Sequence, residues 1–433
     1  MDLLTINDRQ GCYPGSYYAA SATPLARFPA AAGALSADVC VIGGGYTGLS
    51  AALHLREKGF DVVLLEAQRV GFGASGRNGG QVAPGQRADQ TVLEKMVGRD
   101  AARGLFDLSL ASVALVRDLV ARHDIDCHWA DGIVRAMHRA RYVPEIHSYA
   151  ARLARDYGYD GLEPLDRAGI RALVGSQDYH GGALERGGGH LHPLRFALGL
   201  ARAAREAGVR VFEGSTVTDF TEGSQPVVRT AEAEIRARHV LLACNGYLGR
   251  LSGAVAKRVM PINNFIVATE PLSETAARAL IRDNHAVADS RFVVNYFRLS
   301  ADRRLLFGGG ESYGYRFPAN LKEKARGPML NIFPHLSDTK IDYAWGGTLA
   351  ITRSRMPDFA RLSPTVLSVS GYSGHGVALA TLGGKLAAEA IAGDASGFDL
   401  MARVPTPTFP GGTLARAPLL VLAMLWYSFR DRF

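Results

Sequence analysis

Apolar and polar residues follow two different periods along this chain, and each period predicts a different kind of element. An apolar run at 39–42 is followed by apolar positions at helical spacing, and a second apolar run follows at 61–65. This order predicts a strand, a helix and a strand. Helical spacing also predicts helices at 94–123, 144–157, 194–207, 320–333 and after residue 376. Between 258 and 345 apolar and polar positions alternate, which predicts an antiparallel sheet.

The turn between the first strand and its helix carries Gly43-x-Gly45-x-x-Gly48, and Glu66 closes the second strand. Gly43 permits a tight turn, Gly45 lets the backbone approach a pyrophosphate, and Gly48 lets the helix lie close to the strands. Amides at the start of the helix favour phosphate, and an acid in the position of Glu66 accepts hydrogen bonds from a ribose. We therefore predict a dinucleotide site rather than a glycine-rich turn without a ligand.

Further glycine-rich stretches follow at 71–81, 243–246 and 371–377. The first is polar and has little side-chain bulk, which suits a backbone that passes a large flat ligand. In the second, an apolar strand ends in small residues, where bulk would collide with a diphosphate. The third leads into a helix, whose N-terminal amides favour negative charge. Their order along the chain indicates one composite site.

At these motifs the chain resembles the D-amino-acid oxidase, glycine oxidase and sarcosine oxidase superfamily of flavoproteins. Within it, the chain is similar to the gamma-glutamylputrescine oxidases, from Ser16–Ala22 to Tyr427–Arg432. The resemblance implies FAD as the cofactor. It implies contacts with FAD from Gly43, Gly45, Tyr46, Thr47, Gly48, Glu66, Ala67, Gly73, Ala74, Ser75, Arg77, Asn78, Gly79, Gly80, Gln81, Val217, Ala243, Cys244, Gly246, Gly371, Ser373, Gly374, His375, Gly376 and Val377.

The resemblance also implies an α/β fold class, with a Rossmann-like FAD-binding domain and an α+β substrate domain built on an antiparallel sheet. The FAD-binding domain is expected at 38–90, 185–257 and 346–400, and the substrate domain at 91–184 and 258–345. Residues 1–37 are expected to lie across the body as an extension. Residues 401–433 are expected to form a tail with an apolar helix at 419–427, which would either pack against the body or make peripheral contact with a membrane.

The reaction that the resemblance implies is amine oxidation, in which a hydride passes from the carbon beside nitrogen to flavin N5 and water hydrolyses the imine. The small-molecule substrate is expected to be of the gamma-glutamylputrescine type, in polyamine catabolism. The alternative is an oxidase or dehydrogenase of a cyclic imino acid such as L-pipecolate, or of another secondary or D-amino acid. A non-catalytic flavin-binding or tRNA-modifying protein is a further interpretation, which the lack of a basic stripe with interleaved aromatics disfavours.

Several positions depart from patterns of the superfamily. Neither 75–78 nor 347–353 offers the Cys or His that attaches flavin covalently in some members, so noncovalent FAD is expected. Leu349 stands where amino-acid oxidases often place an arginine for the α-carboxylate, which favours a substrate whose amine is far from its carboxylate. The stretch 305–308 lacks the lysine that promotes reaction with oxygen in sarcosine oxidases. The electron acceptor is therefore either oxygen or a respiratory acceptor.

Three residues are candidates for contact with the reacting groups. Arg353 could bind a substrate carboxylate or form a structural ion pair. Tyr296, like Tyr313 and Tyr315, could wall the pocket or belong to ordinary core packing. His375 could act as a base, or contact the flavin, or be structural.

Length and composition exclude several other classes. The 433 residues carry a net charge of +8, mostly from scattered arginines, so nucleic acid is not an expected partner. The four cysteines form no CxxC pair, and His190 and His192 have no third ligand nearby, so no metal site is predicted. No apolar run reaches the ~18 residues that a membrane-spanning helix needs. Because the N-terminus lacks a basic-then-apolar signal region, a cytoplasmic protein is expected.

Overall fold

The computed structural model describes residues 2–312 and 314–413. Its helices are α1 Tyr17–Ser21, α2 Tyr46–Glu57, α3 Gln90–Val97, α4 Arg99–Arg122, α5 Val143–Arg152, α6 Arg167–Leu173, α7 Pro193–Glu206, α8 Gly253–Ala256, α9 Glu274–Leu280, α10 Leu321–Ile332, α11 Gly376–Ile391 and α12 Ser396–Ala402. Its strands are β1 Gly33–Ile42, β2 Val62–Leu65, β3 Gln81–Val82, β4 Ala130–Ala136, β5 Leu162–Leu165, β6 Gly182–His190, β7 Arg210–Phe212, β8 Asp219–Phe220, β9 Val227–Arg229, β10 Ala233–Leu242, β11 Met260–Thr269, β12 Ala286–Asp289, β13 Tyr296–Leu299, β14 Leu305–Ser312, β15 Ile341–Ile351, β16 Asp358–Ser363 and β17 Val366–Ser370.

The first sheet has the strand order β16-β17-β10-β1-β2-β7, and its pairs from β17 to β7 are parallel. Alternate residues of β1 face opposite sides: Val39 and Val41 pack with helices α2 and α11, whereas Cys40 and Ile42 pack in a separate cluster. Ile42 is in register with Leu65 and Leu242, so the carboxyl ends of three parallel strands meet at one edge. Ligands bind at such an edge in open α/β sheets.

The second sheet has the order β15-β11-β14-β13-β12-β4-β6-β3, with β5 paired to β6. Its pairs are antiparallel except for β12 with β4. Phe297, Phe307 and Phe333 are buried in the cluster between this sheet and helix α10. The prediction of an α/β unit joined to a lobe with an antiparallel sheet is therefore confirmed, with one parallel pair in that sheet.

Several predicted boundaries differ from the observed ones. Gly98 divides the helix expected at 94–123, because its φ of 82° lies in the left-handed region. Residues 292–295, expected in a strand, form a bend in which Asp289 accepts hydrogen bonds from two backbone amides. The domain boundaries proposed at 185 and 346 fall inside β6 and β15 of the second sheet, and β1 begins within the expected N-terminal extension.

The N-terminal arm, residues 2–32, lies across both sheets. Asp8 forms an ion pair with Arg77 at 2.8 Å, and both side chains are buried. The Tyr17 hydroxyl donates to Asp302 at 2.6 Å. In the described ranges no helix has the length and apolar character to cross a membrane, and no cluster of metal-ligating side chains is present there. The apolar helix expected at 419–427 lies outside the described residues, as does Tyr313.

Candidate functional site

A cavity of about 1050 Å³ opens where the carboxyl ends of β1, β2 and β10 face the second sheet. Its wall contains most of the residues expected to contact a cofactor: Gly43, Gly45, Tyr46, Thr47, Glu66, Ala67, Gly73, Ala74, Ser75, Arg77, Asn78, Gly79, Gln81, Val217, Ala243, Cys244, Ser373, Gly374, His375, Gly376 and Val377. Gly48, Gly80, Gly246 and Gly371 do not line it. The predicted glycine stretches therefore meet in one place, although some of their glycines serve backbone packing instead.

The first glycine turn allows two backbone segments to approach each other. Gly43 has a φ of 111°, and a Cβ there would lie 2.7 Å from the Ala243 carbonyl oxygen. A Cβ on Gly48 would lie well under 3.0 Å from the Gly43 carbonyl oxygen. Gly45 caps helix α2 without a side-chain hydrogen bond. Because the first amides of a helix have no partner within it, this end of α2 is suited to an anionic group.

The carboxyl group of Glu66 lies at the end of β2, in the cavity wall. It accepts hydrogen bonds from the backbone amides of Gly44 at 2.7 Å and Gln68 at 2.8 Å. Burial nevertheless raises the pKa of Glu66 to about 7. The carboxyl group keeps free lone pairs that a hydroxyl donor of a ligand would satisfy.

The polar residues of the 71–81 stretch mainly hold that stretch in place. Asn78 donates to the carbonyl oxygens of Ala74 and Ser75 and accepts from the amide of Gly80. The Ser75 hydroxyl accepts from the amide of Tyr46 at 3.0 Å. These contacts fix the segment against helix α2.

The Arg77 guanidinium, which is expected to contact FAD, is held by three protein groups. In the structure it donates to Asp8 and to the carbonyl oxygens of Phe72 and Gly346. Asp8 of the N-terminal arm is the charge partner of Arg77. The Arg77 side chain is therefore a buried anchor, and it also lines the cavity.

The third glycine stretch is locked to the first through helix α2. The hydroxyls of Thr47 and Tyr372 lie 2.5 Å apart, and Ser373 adopts a φ of 52°. Nε2 of His375 donates to the Ala83 carbonyl oxygen at 3.1 Å. Burial, with Arg87 and Arg135 nearby, lowers the pKa of His375 to about 4, so this imidazole is neutral and a weak base near pH 7.

Tyr296 lies in the cavity wall, between two glycines. A Cβ on either Gly79 or Gly308 would collide with its ring. Its hydroxyl donates to Oδ1 of Asn264. The absence of side chains on these two glycines makes room for the Tyr296 ring. Of the two roles left open by the sequence, the position in the cavity wall favours a pocket wall over core packing.

The structure does not bring Arg353 to the cavity. Its side chain is exposed and donates to the Thr408 carbonyl oxygen at 3.0 Å. Arg355 lines the cavity instead; it has a φ of 63° in the turn between β15 and β16. The expected contact of Arg353 with substrate is therefore wrong in placement, and a neighbouring arginine occupies the wall.

The second sheet contributes a charged end to the cavity that no sequence motif indicated. Arg135 of β4 donates to Glu185 at 3.1 Å, and Arg291 forms ion pairs with Asp289 and Asp178. Ile133, Met137, Phe292 and Val294 line the wall beside them. These residues come together only because β4 pairs with β12, with Ala136 opposite Asp289.

His190 and His192 both hold backbone groups in place. His192 accepts from the amide of Arg195 at 3.2 Å and so caps helix α7. His190 donates to the Asn284 carbonyl oxygen at 2.7 Å.

The cavity fits a dinucleotide, since the N-terminus of helix α2, a buried acid and three turns that contain glycine surround it. Residues 38–390 match the model of the family described as FAD dependent oxidoreductase. The chain is 44% identical to gamma-glutamylputrescine oxidoreductase of Escherichia coli (strain K12), over 97% of this chain and 99% of that protein.

Solved structures agree at the level of the fold. Glycine oxidase from Geobacillus kaustophilus superposes with a TM-score of 0.74 at 20% identity, covering 87% of this chain and 100% of that one. L-proline dehydrogenase from P. horikoshii superposes with a TM-score of 0.68 at 19% identity, covering 82% and 93%.

Proposed function

The chain belongs to the FAD dependent oxidoreductase family, and from this premise we propose that it oxidises the C–N bond of an amine of the gamma-glutamylputrescine type. The name of the E. coli relative supports this substrate class. The observation that carries the proposal is a cavity wall that combines the charged residues Arg135, Arg291 and Asp289 with apolar side chains of the same sheet. A substrate with a charged amino-acid head and an aliphatic chain would match that combination of polar and apolar groups.

We propose that FAD is held noncovalently and serves as the acceptor of the hydride. The N-terminus of α2 would hold its diphosphate and Glu66 its ribose. Cys244 lines the cavity, but burial raises the pKa of its thiol to about 12. A protonated thiol is a poor nucleophile, which supports noncovalent attachment.

At the reacting end, this chain supplies shape more than acid–base chemistry. The ring of Tyr296 forms a flat wall, and Leu349 adds an apolar surface. Because the His375 imidazole is neutral, it does not repel a positively charged substrate that enters the cavity. Orientation of the amine carbon in such a pocket is the main contribution that the protein makes to hydride transfer.

A second candidate function is oxidation of a cyclic imino acid such as L-pipecolate, or of another secondary or D-amino acid. It is favoured by Arg355, which lines the cavity and has no carboxylate partner among the described residues. A guanidinium there would bind a carboxylate close to the amine. The two candidates therefore differ in which arginine recognises the carboxylate.

The test is anaerobic reduction of the purified flavoprotein by a panel of amines. We expect gamma-glutamylputrescine to bleach the oxidised flavin band faster than putrescine, L-pipecolate or D-amino acids. Faster bleaching by L-pipecolate would favour the second candidate, and no bleaching by any amine would refute both. Reoxidation of the reduced enzyme by oxygen or by a quinone would then identify the acceptor.

Replacing Arg135 by glutamine should raise KM for gamma-glutamylputrescine by about tenfold or more, because a charge-assisted hydrogen bond to the carboxylate is lost. KM for putrescine, which has no carboxylate, should change little, and kcat should be nearly preserved for both. Arg186→Gln is the matched control, since Arg186 is on the same sheet but pairs with Glu163 at the surface. Equal losses for both substrates would contradict the assignment.

The affinity for FAD should rise with pH up to about 7 and level off above it. With its pKa raised to about 7, Glu66 holds a proton at lower pH, and hydroxyl donors from a ribose stabilise the ionised form. Binding therefore releases this proton below pH 7 and is weakened there. Glu66→Gln should flatten the dependence, as measured by titrating deflavinated enzyme with FAD between about pH 5.5 and 8. Identical slopes in both proteins would disprove the role.

A further inference from the structure

A second cavity, of about 170 Å³, lies apart from the main one. It is formed by the end of β13 and the turn after it, together with residues 128–130, His190 and His192. Its mouth is at the surface, where His128 is exposed. None of its lining residues is among those that line the main cavity.

The most unusual residue of this cavity is Arg298, whose side chain is buried at 5% exposure. It donates to the carbonyl oxygens of Gly79 at 2.8 Å and Leu299 at 3.2 Å, and to the Tyr18 hydroxyl at 3.2 Å. A guanidinium has five N–H donors, so two have no partner in these bonds. No carboxylate in the described part of the chain forms an ion pair with Arg298.

Asp302, the acid nearest to Arg298 in sequence, already has other hydrogen-bond partners. Asp302 accepts from Tyr17, Ser300 and Arg304. The histidines of the cavity add no charge, because burial and the neighbouring Arg298 lower the pKa of His190 to about 3. A buried charge without a partner is costly. The described partners of the Arg298 guanidinium are therefore all neutral: three hydrogen-bond acceptors and the ring of Tyr18, whose centroid is 5.8 Å away.

His190 provides a second, independent sign of a ligand. It is 2% exposed, and its Nε2 donates to the Asn284 carbonyl oxygen at 2.7 Å. Its Nδ1 is left as a buried acceptor with no hydrogen-bond partner. A halide or a simple carboxylate has no proton to donate to this nitrogen, so a water molecule beside the anion, or the hydroxyl of a hydroxy-carboxylate, would satisfy it.

We propose that this cavity binds a small anion, a halide or a carboxylate of one to three carbons, with Arg298 as its cationic partner. The two unused N–H groups of the guanidinium suit a carboxylate or a single halide. The volume admits only a few heavy atoms, since a water molecule occupies about 30 Å³. The site is separate from the proposed amine oxidation and does not depend on it.

The test uses the holoenzyme at constant ionic strength, in which chloride, formate or glycolate replaces the bulkier anion of HEPES. We expect a saturable rise in melting temperature and a saturable change in the fluorescence of Trp129, which lines the cavity. Arg298→Gln should weaken the apparent affinity by about tenfold or more, and Arg303→Gln, an exposed arginine of the same turn, should leave it within about twofold. A response to halides alone would identify an inorganic ion, and one to formate and glycolate alone a carboxylate.

A further variant covers the case in which Arg298→Gln fails to fold. Ala301 lies at the exposed mouth, and Ala301→Leu keeps the guanidinium but narrows the opening. It should weaken the same saturable response, whereas Trp129→Phe should remove the fluorescence change and keep the thermal one. Absence of a saturable response in the unaltered protein, or its persistence in both Arg298→Gln and Ala301→Leu, would overturn the proposal.

Discussion

Replacing Gly48 by alanine is expected to give a protein destabilised by about 3 kcal/mol or more and recovered largely without flavin. The added Cβ would lie well under 3.0 Å from the carbonyl oxygen of Gly43 and 3.2 Å from a methyl group of Val41. A backbone oxygen cannot move aside as a flexible side chain can. Helix α2 would have to shift away from β1, and the turn that faces the cavity would shift with it.

The surroundings of α2 leave no direction for that shift. On its other side, a Cβ on Gly384 of α11 would lie well under 3.0 Å from the Thr47 carbonyl oxygen, so the two helices already touch through their backbones. Relaxation would therefore disturb the Thr47–Tyr372 contact as well. The effect of Gly48→Ala should reach both glycine turns at once.

The measurements are urea unfolding and the ratio of flavin to protein absorbance after purification. Gly253→Ala is the matched control, because Gly253 is also in a helix but a Cβ there would meet nothing within 4 Å. It should change stability by less than about 1 kcal/mol and leave flavin content intact. Normal flavin content in Gly48→Ala would show that the glycine turn tolerates a wider separation between helix α2 and strand β1.

The features best predicted from the sequence are those that residues close together in the chain determine. Strand β1, the glycine turn, helix α2 and Glu66 lie within one stretch, in which burial period and turn chemistry are both visible. The turns at 243–246 and 371–377 could be located because the first follows strand β10 and the second leads into helix α11. Their meeting point follows from parallel pairing, which aligns the ends of β1, β2 and β10.

The sequence could not predict contacts made by tertiary pairing or by a single backbone angle. Arg135 and Asp289 are adjacent only through the parallel β4–β12 pair, an exception within an antiparallel sheet. Arg353 and Arg355 are two residues apart in one turn, and of the two Arg355 lines the cavity, in a backbone conformation with a positive φ that is uncommon for arginine. Nothing near Arg77 in the chain reveals that the charge partner of its guanidinium is Asp8.

Replacing Asp8 by asparagine is expected to destabilise the protein by about 3 kcal/mol or more, because it leaves a buried guanidinium without its charge partner. The side chains of Asp8 and Arg77 are only 7% and 1% exposed, and their ion pair is 2.8 Å long. The Arg77 backbone belongs to the 71–81 stretch, and its carbonyl oxygen accepts from Trp345. Loss of the anchor should therefore loosen the cavity wall and lower flavin content.

Asp61→Asn is the matched control, since Asp61 also pairs with an arginine at 2.7 Å but is 53% exposed. Surface ion pairs contribute about 1 kcal/mol or less, so its unfolding midpoint should stay close to that of the unaltered protein. If Asp8→Asn behaved like Asp61→Asn, the N-terminal arm would merely rest on the body. If it behaves as expected, the arm is part of the cofactor site, because it supplies the negative charge that keeps Arg77 folded into the cavity wall.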